Sequence, residues 1–398
     1  MKVIYADNGA TTRLSDKALA AMAPYFQQVF GNPSSLHSAG QKAAEALVTA
    51  RESVAKSLNA DPKEITFTSG GSEADNQAIR TAAALGKRKC KTHIISTSIE
   101  HHAVLHTLKK LEKEGFSVTL LPVEPETGLV TAEQVRAAIT DETCLVSVML
   151  ANNEIGTIEP VKEIAAVCRE KGVLVHTDAV QAVGHIPVDV KDLGVDFLAL
   201  SGHKFHGPKG VGALYTRRGI PLQSLIEGGA QERNKRAGTE NLPAIVGMAA
   251  ALEECLSSLD ETAKAVSAVR DRLIAGLRTI PHCVLNGHET LRLPGNVNFC
   301  FEGIEGESLL LLLDDRGVEA SSGSACTSGS LDPSHVLLAI GRPHEIAHGS
   351  LRLTIDETVT ADDADYIVSQ VAEVVTYLRG ISPVWRDLVK GKTKFITE

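Results

Sequence analysis

The chain has 398 residues, 43% hydrophobic and 22% charged, which is typical of a globular protein and excludes a disordered, collagen-like or coiled-coil chain. Its 40 basic and 49 acidic residues give a formal net charge of −9, so we expect no nucleic-acid partner. No apolar run approaches the ~18 residues of a membrane span and no secretory signal is evident, so we expect a cytoplasmic protein without a membrane partner. Seven cysteines without a C-x-x-C pair favour a reducing compartment and allow one reactive thiol.

Strand-like apolar runs alternate with helical patterns from about residue 15 to 255. Helices are predicted at 43–58, 101–115 and 161–172. The continuous apolar runs predict buried strands at 65–69, 93–98, 118–123, 144–152, 173–180, 196–201 and 210–216. This alternation predicts an α/β fold, with a mostly parallel seven-stranded sheet covered by helices on both faces.

The pattern changes after one long helix predicted near 243–280. The following segments predict a smaller α+β domain: PGNVNFCF, the helix ESLLLLLDDRG, a Ser/Gly-rich loop at 321–330, the strand SLRLTID and a helix at 361–379. We therefore expect a large domain over 15–255, and a small domain over 1–14 and 256–398 that includes the loop 321–332. The tail 381–398 has no clear period and either docks a partner or is solvated.

Ligands of parallel sheets bind outside the carboxyl ends of the strands, so the residues after each strand are candidate site residues. Lys204, in SGHKFHGPKG, follows one strand and is a candidate Schiff-base lysine, the alternative being a surface lysine in a turn. Asp178, in HTDAVQAVG, ends another strand. A carboxylate there can keep a cofactor ring nitrogen protonated, with Gln181 reaching a ring oxygen, although an aspartate capping the next turn is the alternative.

Three further strand ends carry weaker signals. In FTSGGSEADN, Gly71 and Ser72 open a helix where backbone amides can bind phosphate, or they form an ordinary helix cap. His101, in IEHHAVL, can stack on a ring and move protons, or it faces water at a helix start. Asn153, in ANNEIGTIEP, can donate to a ring oxygen or a substrate carboxylate, or it belongs to a turn.

Two residues of the predicted small domain complete the candidates. Cys326 lies in the Ser/Gly-rich loop SSGSACTSGS, which favours an exposed nucleophilic thiol, whereas Cys144, Cys168 and Cys300 are in apolar settings that predict core positions. Cys90 has basic neighbours but is predicted at the opposite end of the sheet. Arg352, in HGSLRLTI, either binds a substrate carboxylate or forms an internal salt bridge.

These motifs in this order resemble the NifS/IscS-type cysteine desulfurases, which are fold-type-I pyridoxal-phosphate enzymes. The resemblance runs from YADNGATT to about residue 360 and rests on SGHK with GPKG, HTDAVQ, NNEIG and SSGSACTS, the last being typical of the long-loop group. FGNPSSLH at 30–37 and GGAQERNKRAGTEN at 228–241 are nearer to NifS than to IscS.

The resemblance implies an enzyme that converts L-cysteine to L-alanine and passes sulfur from a persulfide on Cys326 to an acceptor protein, such as an IscU/NifU-like scaffold or a thiolation relay. It also implies a homodimer with pyridoxal 5'-phosphate and no metal. The implied catalytic residues are Cys326, Lys204 and His101, and Arg352 with Asn153 would bind the substrate carboxylate. The implied cofactor ligands are Lys204, Asp178, Gln181, Asn153, His101, Gly71, Ser72, Ser201 and His203, with Thr239 reaching the phosphate from the second subunit.

Three positions depart from the family pattern. Gly9 stands where Asn or Ser is more familiar, Ser72 replaces the usual Thr, and Ala74 replaces the usual Ser. Because Ser72 keeps the hydroxyl, we expect phosphate binding to survive. The rival functions are an aminotransferase, a selenocysteine lyase that does not need the thiol, and a partner-binding protein that has lost the cofactor.

Overall fold

A computed structural model describes residues 2–322 and 333–397. Its strands are β1 (Ile4–Tyr5), β2 (Ile65–Thr68), β3 (His93–Thr97), β4 (Ser117–Leu121), β5 (Thr143–Ser147), β6 (Leu174–Asp178), β7 (Phe197–Ser201), β8 (Gly212–Thr216), β9 (Cys283–Leu285), β10 (Asn296–Phe301), β11 (Val318–Glu319) and β12 (Ser350–Thr354). Its helices are α1 (Asp16–Met22), α2 (Pro24–Gln27), α3 (Ser38–Ser57), α4 (Gly71–Lys87), α5 (His102–Lys113), α6 (Ala132–Ala138), α7 (Val161–Lys171), α8 (Val190–Leu193), α9 (Gln231–Asn234), α10 (Leu242–Ser257), α11 (Leu259–Leu277), α12 (Gly306–Asp314), α13 (His335–Ala339), α14 (His344–Ala347), α15 (Ala361–Ile381) and α16 (Pro383–Val389). Short 3₁₀ turns occur at Pro62–Glu64 and Gly202–Lys204.

The main sheet has the order β2-β8-β7-β6-β5-β3-β4. All its strands are parallel except β8, which pairs antiparallel with both β2 and β7. The prediction of a mostly parallel seven-stranded sheet is therefore confirmed. Six of the strands point their carboxyl ends to the same edge, and this edge collects the polar residues that follow them.

Successive residues of the main sheet pack into different cores, because side chains alternate between the faces of a strand. In β3, Ile94 contributes to the core beneath α4 and α5, whereas Ile95 contributes to the core shared with α3, α7 and α10. Both faces are thus covered by helices, which explains the continuous apolar runs in the sequence.

A separate core surrounds a second, antiparallel sheet with the order β12-β10-β9. Helices α11, α12 and α15 cover this sheet, with Leu273, Leu309 and Val371 fully buried between them. The N-terminal strand β1 pairs in parallel with β11, so the first residues of the chain lie against its C-terminal third.

The segment predicted as one helix near 243–280 forms two helices, so that prediction is wrong. The break is at Ser258, whose φ of −131° and ψ of 19° are not helical. Helix α10 packs against α1 and α3 while α11 packs against α15, so the two halves serve different cores. Within residues 2–322 and 333–397, no single helix has the length and apolarity of a membrane span, and these two reach it only jointly, across a bend of 74°.

The tail after residue 381 packs against its own chain. It forms α16, and the Phe395 ring then stacks on His282 with 3.8 Å between the ring centroids. The Glu302 carboxylate accepts hydrogen bonds from the backbone N–H groups of Ile396 and Thr397, at 2.9 and 3.0 Å. The two alternatives considered from the sequence were a tail that docks a partner and a solvated tail. Docking onto the same chain is neither of them.

Candidate active site

Lys204 lies in the 3₁₀ turn that follows β7, at the edge where the parallel strands end. Its Nζ donates to the carbonyl oxygens of Gly9 and Ala10, at 2.7 and 2.8 Å. The Gln181 amide donates to the same Gly9 oxygen at 3.0 Å, and the His185 ring bonds the Lys204 carbonyl at 2.8 Å. The structure therefore brings Lys204 and Gln181 together around Gly9.

Asp178 ends β6 and is only 5% exposed. One of its oxygens accepts the Val180 N–H at 2.9 Å. Burial raises the pKa of the Asp178 carboxyl, while the nearby His101 and Lys204 act in the opposite direction. Asp178, His101 and Lys204 are thus close enough to interact electrostatically, as the predicted site requires.

His101 is the N-cap of α5, and its Nδ1 accepts the Ala103 N–H at 3.1 Å. A ring nitrogen that accepts a hydrogen bond carries no proton, so the proton of the neutral ring is assigned to Nε2. The side chain therefore has a defined tautomer. His101 is half-buried, so only part of its side chain faces water.

Behind Asp178 lies a buried polar group that the sequence analysis missed. Asp75 of α4 approaches the His176 ring at 3.3 Å, and the other nitrogen of that ring bonds Ser147 at 2.8 Å. Burial raises the pKa of Asp75 well above its usual range and that of Glu100 to about 8, and lowers that of His176 to about 3. Burial therefore favours the uncharged form of each of these side chains. In the sequence, Asp75 and Glu100 are visible as acidic residues of the SEADN and IEHH motifs.

The cradle predicted for phosphate lies at the start of α4. Gly71 is buried, and a Cβ atom there would lie 2.5 Å from Val180 Cγ2 and 3.7 Å from Ser201 Cβ. Ser72 is exposed in the first turn. The first N–H groups of a helix have no partner within it and favour an anion, so phosphate binding at Gly71 and Ser72, with Ser201 near Gly71, stays a prediction.

His203 and Thr239 differ in their relation to this cradle. His203 bonds the Thr11 hydroxyl at 3.1 Å, and burial with the charges of Lys204 and Lys209 lowers its pKa to about 4. It therefore supplies hydrogen bonds rather than positive charge. Thr239 is exposed, and no hydrogen bond among the described residues joins it to the other predicted ligands.

Arg352 lies on β12 and is 2% exposed. One guanidinium nitrogen donates to Asp7 at 2.8 Å and another to the Asn153 carbonyl at 3.1 Å, while Nε has no partner among the residues that the structure describes. The internal salt bridge considered from the sequence is present, with Asp7 as the partner that the sequence analysis missed. The same contacts also place Arg352 beside Asn153.

Cys326 lies outside the described residues, but both flanks of the segment 323–332 are described. Before it, the Ser350 hydroxyl donates to the Ser322 carbonyl at 3.2 Å, next to Arg352. After it, Ser334 bonds the Glu154 carboxylate and the His335 ring bonds the Glu100 carbonyl at 3.0 Å. Both flanks therefore lie close to predicted site residues.

Four other cysteines lie in the environments predicted for them, three in the core and one outside it. Cys144, Cys168 and Cys300 are buried, and burial raises their pKa values to about 11, 12 and 11. Cys90 is exposed, in the turn before β3. A buried thiol with such a pKa holds little thiolate, the reactive form, so these three are packing residues.

The described residues fit pyridoxal phosphate on two counts. A Cβ on Gly71 would collide with Val180, so glycine leaves the first backbone N–H groups of α4 uncovered by a side chain. At the other end, the buried Asp178 carboxyl would be stabilised in its charged form by a protonated ring nitrogen. Lys204 would hold the group between these two ends.

Comparisons with known proteins agree with this geometry. The aminotransferase class-V family model matches residues 4–367. A cysteine desulfurase IscS of Clostridium botulinum is 55% identical over 394 residues, covering 98% of this chain and 99% of that one. A NifS-like protein of known structure superposes with a TM-score of 0.88 at 39% identity, covering 94% of this chain and 100% of that one. The structure of SspA in complex with cysteine gives 0.79 at 36% identity, covering 88% and 98%. The chain therefore belongs to the aminotransferase class-V family of pyridoxal-phosphate enzymes and, within it, to the cysteine desulfurases of the IscS and NifS type.

Proposed function

We propose that the residues gathered at this sheet edge convert L-cysteine to L-alanine and transfer its sulfur to Cys326. The observation that carries the proposal is the grouping of Asp178, His101 and Lys204 after β6, β3 and β7, at one edge of the sheet, with His101 and Lys204 both acting electrostatically on Asp178. Pyridoxal phosphate, when bound, withdraws electrons from the substrate Cα. The remaining chemistry belongs to side chains of this chain.

The cofactor ligands divide by the part of the group that they hold. Asp178 would accept a hydrogen bond from the ring nitrogen, and Gln181 and Asn153 would bind the phenolic oxygen. Lys204 would bond the carbonyl carbon of the cofactor. Gly71, Ser72, Ser201 and His203 would hold the phosphate of the cofactor, with Thr239 contributed by a second subunit.

The substrate carboxylate would be bound by Arg352. The guanidinium is already oriented by Asp7 and by the Asn153 carbonyl, so little side-chain entropy remains to be lost when the carboxylate binds. His101 would stack on the cofactor ring and move a proton through Nε2. Its Nδ1 is engaged by the Ala103 N–H and is not available for this task.

The sulfur-transfer step requires a thiolate. The Cys326 thiolate attacks the substrate sulfur, so that an S–S bond forms while the C–S bond of the substrate breaks, and the carbon skeleton takes up a proton and leaves as alanine. The persulfide on Cys326 then passes its outer sulfur to an acceptor protein, in iron–sulfur cluster assembly or a related pathway. A cytoplasmic location in a reducing compartment is consistent with this chemistry.

We assign the cofactor-binding unit to residues 15–255, and the unit with the cysteine segment to residues 1–14 and 256–398. The separate core around β10 and β12 supports this division, and so does the break between α10 and α11. The active site would then lie between the two units, with Arg352 contributed by the second.

The test compares three variants of the cofactor-loaded enzyme. Cys326→Ala should abolish alanine release from cysteine while the visible absorption band of the cofactor remains. Lys204→Ala should remove that band. Cys90→Ala, which changes an exposed thiol elsewhere, is the matched control and should retain both signals. Alanine release that is undiminished in Cys326→Ala would contradict the proposal and favour a reaction that does not need the thiol.

A further inference from the structure

A cavity of about 450 Å³ lies behind the residues that contact Lys204. Gly9 and Gln181 form one wall, the end of α10 and the start of α11 form another, and the turn after β12 closes the third side. The proposed desulfurase chemistry uses none of the polar residues at the turn. The turn therefore carries polar groups that the proposed reaction leaves unassigned.

Three side chains lining the cavity have donor atoms close together. His206, Asp356 and Glu357 each offer one ligand atom, and these atoms lie within 4.8 Å of one another. Donors at about 2.0–2.2 Å from one ion are separated by up to about 4.4 Å, so a small rotation of the exposed Glu357 side chain is enough to enclose an ion. Across residues 2–322 and 333–397, no other group of three such residues is as close.

The hydrogen bond that His206 makes leaves one of its ring nitrogens able to bind a metal ion. Its Nδ1 lies 3.1 Å from the Arg13 carbonyl oxygen, which can only accept. Nδ1 must therefore carry the proton, and the lone pair is left on Nε2. Histidines that bind metals characteristically donate their second ring N–H to a carbonyl or carboxylate in this way.

Two residues that line the same cavity carry buried acceptor oxygens without a donor. Asn8 is 6% exposed and its amide nitrogen donates to the Thr354 carbonyl at 3.1 Å, but no described residue donates to its Oδ1. Oε2 of Glu254, another lining residue, likewise has no donor in the described part of the chain. Buried acceptor oxygens are normally paired, so the cavity wall has polar atoms that the described residues leave unsatisfied.

The geometry points to a divalent transition-metal site at His206, Asp356 and Glu357, separate from the proposed sulfur chemistry. One imidazole nitrogen with two carboxylates is a mixed set suited to Mn²⁺, Fe²⁺ or Zn²⁺, whereas Ca²⁺ and Mg²⁺ prefer oxygen ligands alone. Water would complete the coordination on the cavity side. The site does not depend on the proposed function, because none of its three ligands is assigned to that reaction.

The test is Mn²⁺ binding to the untagged, cofactor-loaded enzyme, followed by the loss of the electron paramagnetic resonance signal of the free ion. Mn²⁺ is the first probe because thiolates bind it poorly, and Zn²⁺ should displace it. We expect one ion per chain, bound at least tenfold more weakly in Asp356→Asn, in Glu357→Gln and in His206→Asn. Asparagine suits position 206 because φ is +61° there, and Glu357 is exposed, so these changes should not unfold the chain.

His106→Gln is the matched control, since His106 belongs to a separate histidine cluster with His102, 5.0 Å between the rings. It should leave Mn²⁺ affinity unchanged. Loss of binding in His106→Gln, or unchanged affinity in all three ligand variants, would overturn the assignment. Equal affinity for Mg²⁺ and Mn²⁺ would also overturn it, because the imidazole ligand would then contribute nothing.

Discussion

The Gly71→Ala substitution tests whether the start of α4 depends on the absence of a side chain. Gly71 begins the helix with no positive φ, so alanine is compatible with the backbone and the effect comes from packing alone. The new Cβ would lie 2.5 Å from Val180 Cγ2, more than 1 Å inside the ordinary carbon–carbon contact of about 3.5–4.0 Å. Either the helix start or the Val180 loop must therefore move.

The expected cost follows from this overlap. Insertion of a methyl group into a packed site typically costs about 1–3 kcal/mol. Val180 follows Asp178 by two residues and Gly71 lies at the phosphate cradle, so the displacement reaches both predicted ends of the cofactor. At about 1.4 kcal/mol per tenfold change, we expect the cofactor dissociation constant to rise roughly 5- to 100-fold.

The assay is a titration of the apoenzyme with pyridoxal phosphate, followed by its visible absorption, in a double-mutant cycle with Val180→Ala. Val180→Ala removes the atom with which the new Cβ collides, so the double variant should recover most of the lost affinity. Gly71→Ala with wild-type affinity would refute the packing argument. So would a double variant no better than Gly71→Ala alone, since the loss would then have another cause.

Three further changes test other parts of the structure. Burial raises the pKa of Glu159 from 4.5 to about 8, so the folded chain holds a proton that the unfolded chain loses, and stability should fall with rising pH by up to roughly 1.4 kcal/mol per unit between these values. E159Q should flatten the pH dependence of the urea midpoint of the apoprotein between pH 5 and 8, and an unchanged slope would contradict this. E232A breaks the buried pair with Arg51, whose nitrogen lies 2.6 Å from the carboxylate, and should cost about 3–5 kcal/mol in urea unfolding, whereas D365A breaks an exposed pair and should change little. R352K should raise the KM for cysteine at least about tenfold with an unchanged cofactor band, and an unaltered KM would exclude Arg352 as the carboxylate ligand.

The sequence predicts the main sheet well because each buried parallel strand is a continuous apolar run in the sequence. All seven apolar runs are strands in the structure, within a few residues of the predicted ends. The direction of β8 has no such signature, since it depends on how the chain turns after Gly210. The break at Ser258 was missed although Ser258 and Glu261 have the spacing of a helix start, and the two halves pack on different cores.

The residues of the candidate site also divide into those that the sequence predicts and those that it does not. Residues directly after a strand can be found from the sequence, and Asp178, His101 and Lys204 are of this kind. Asp7, which pairs with Arg352, and Asp75, which approaches His176, act through partners distant in the chain. A local motif can show an acidic residue but not its partner, because a buried pair is defined by two positions together.

The contacts of Gly9 have a consequence for the folding of the active site. The Gly9 N–H donates to the Thr354 hydroxyl at 2.7 Å, across 345 positions of the chain, and its carbonyl accepts from Lys204. Contacts between such distant positions form late in folding, because packing must first offset the entropy lost when the loop between them closes. We therefore expect the Lys204 side chain to reach its position after the main sheet has formed.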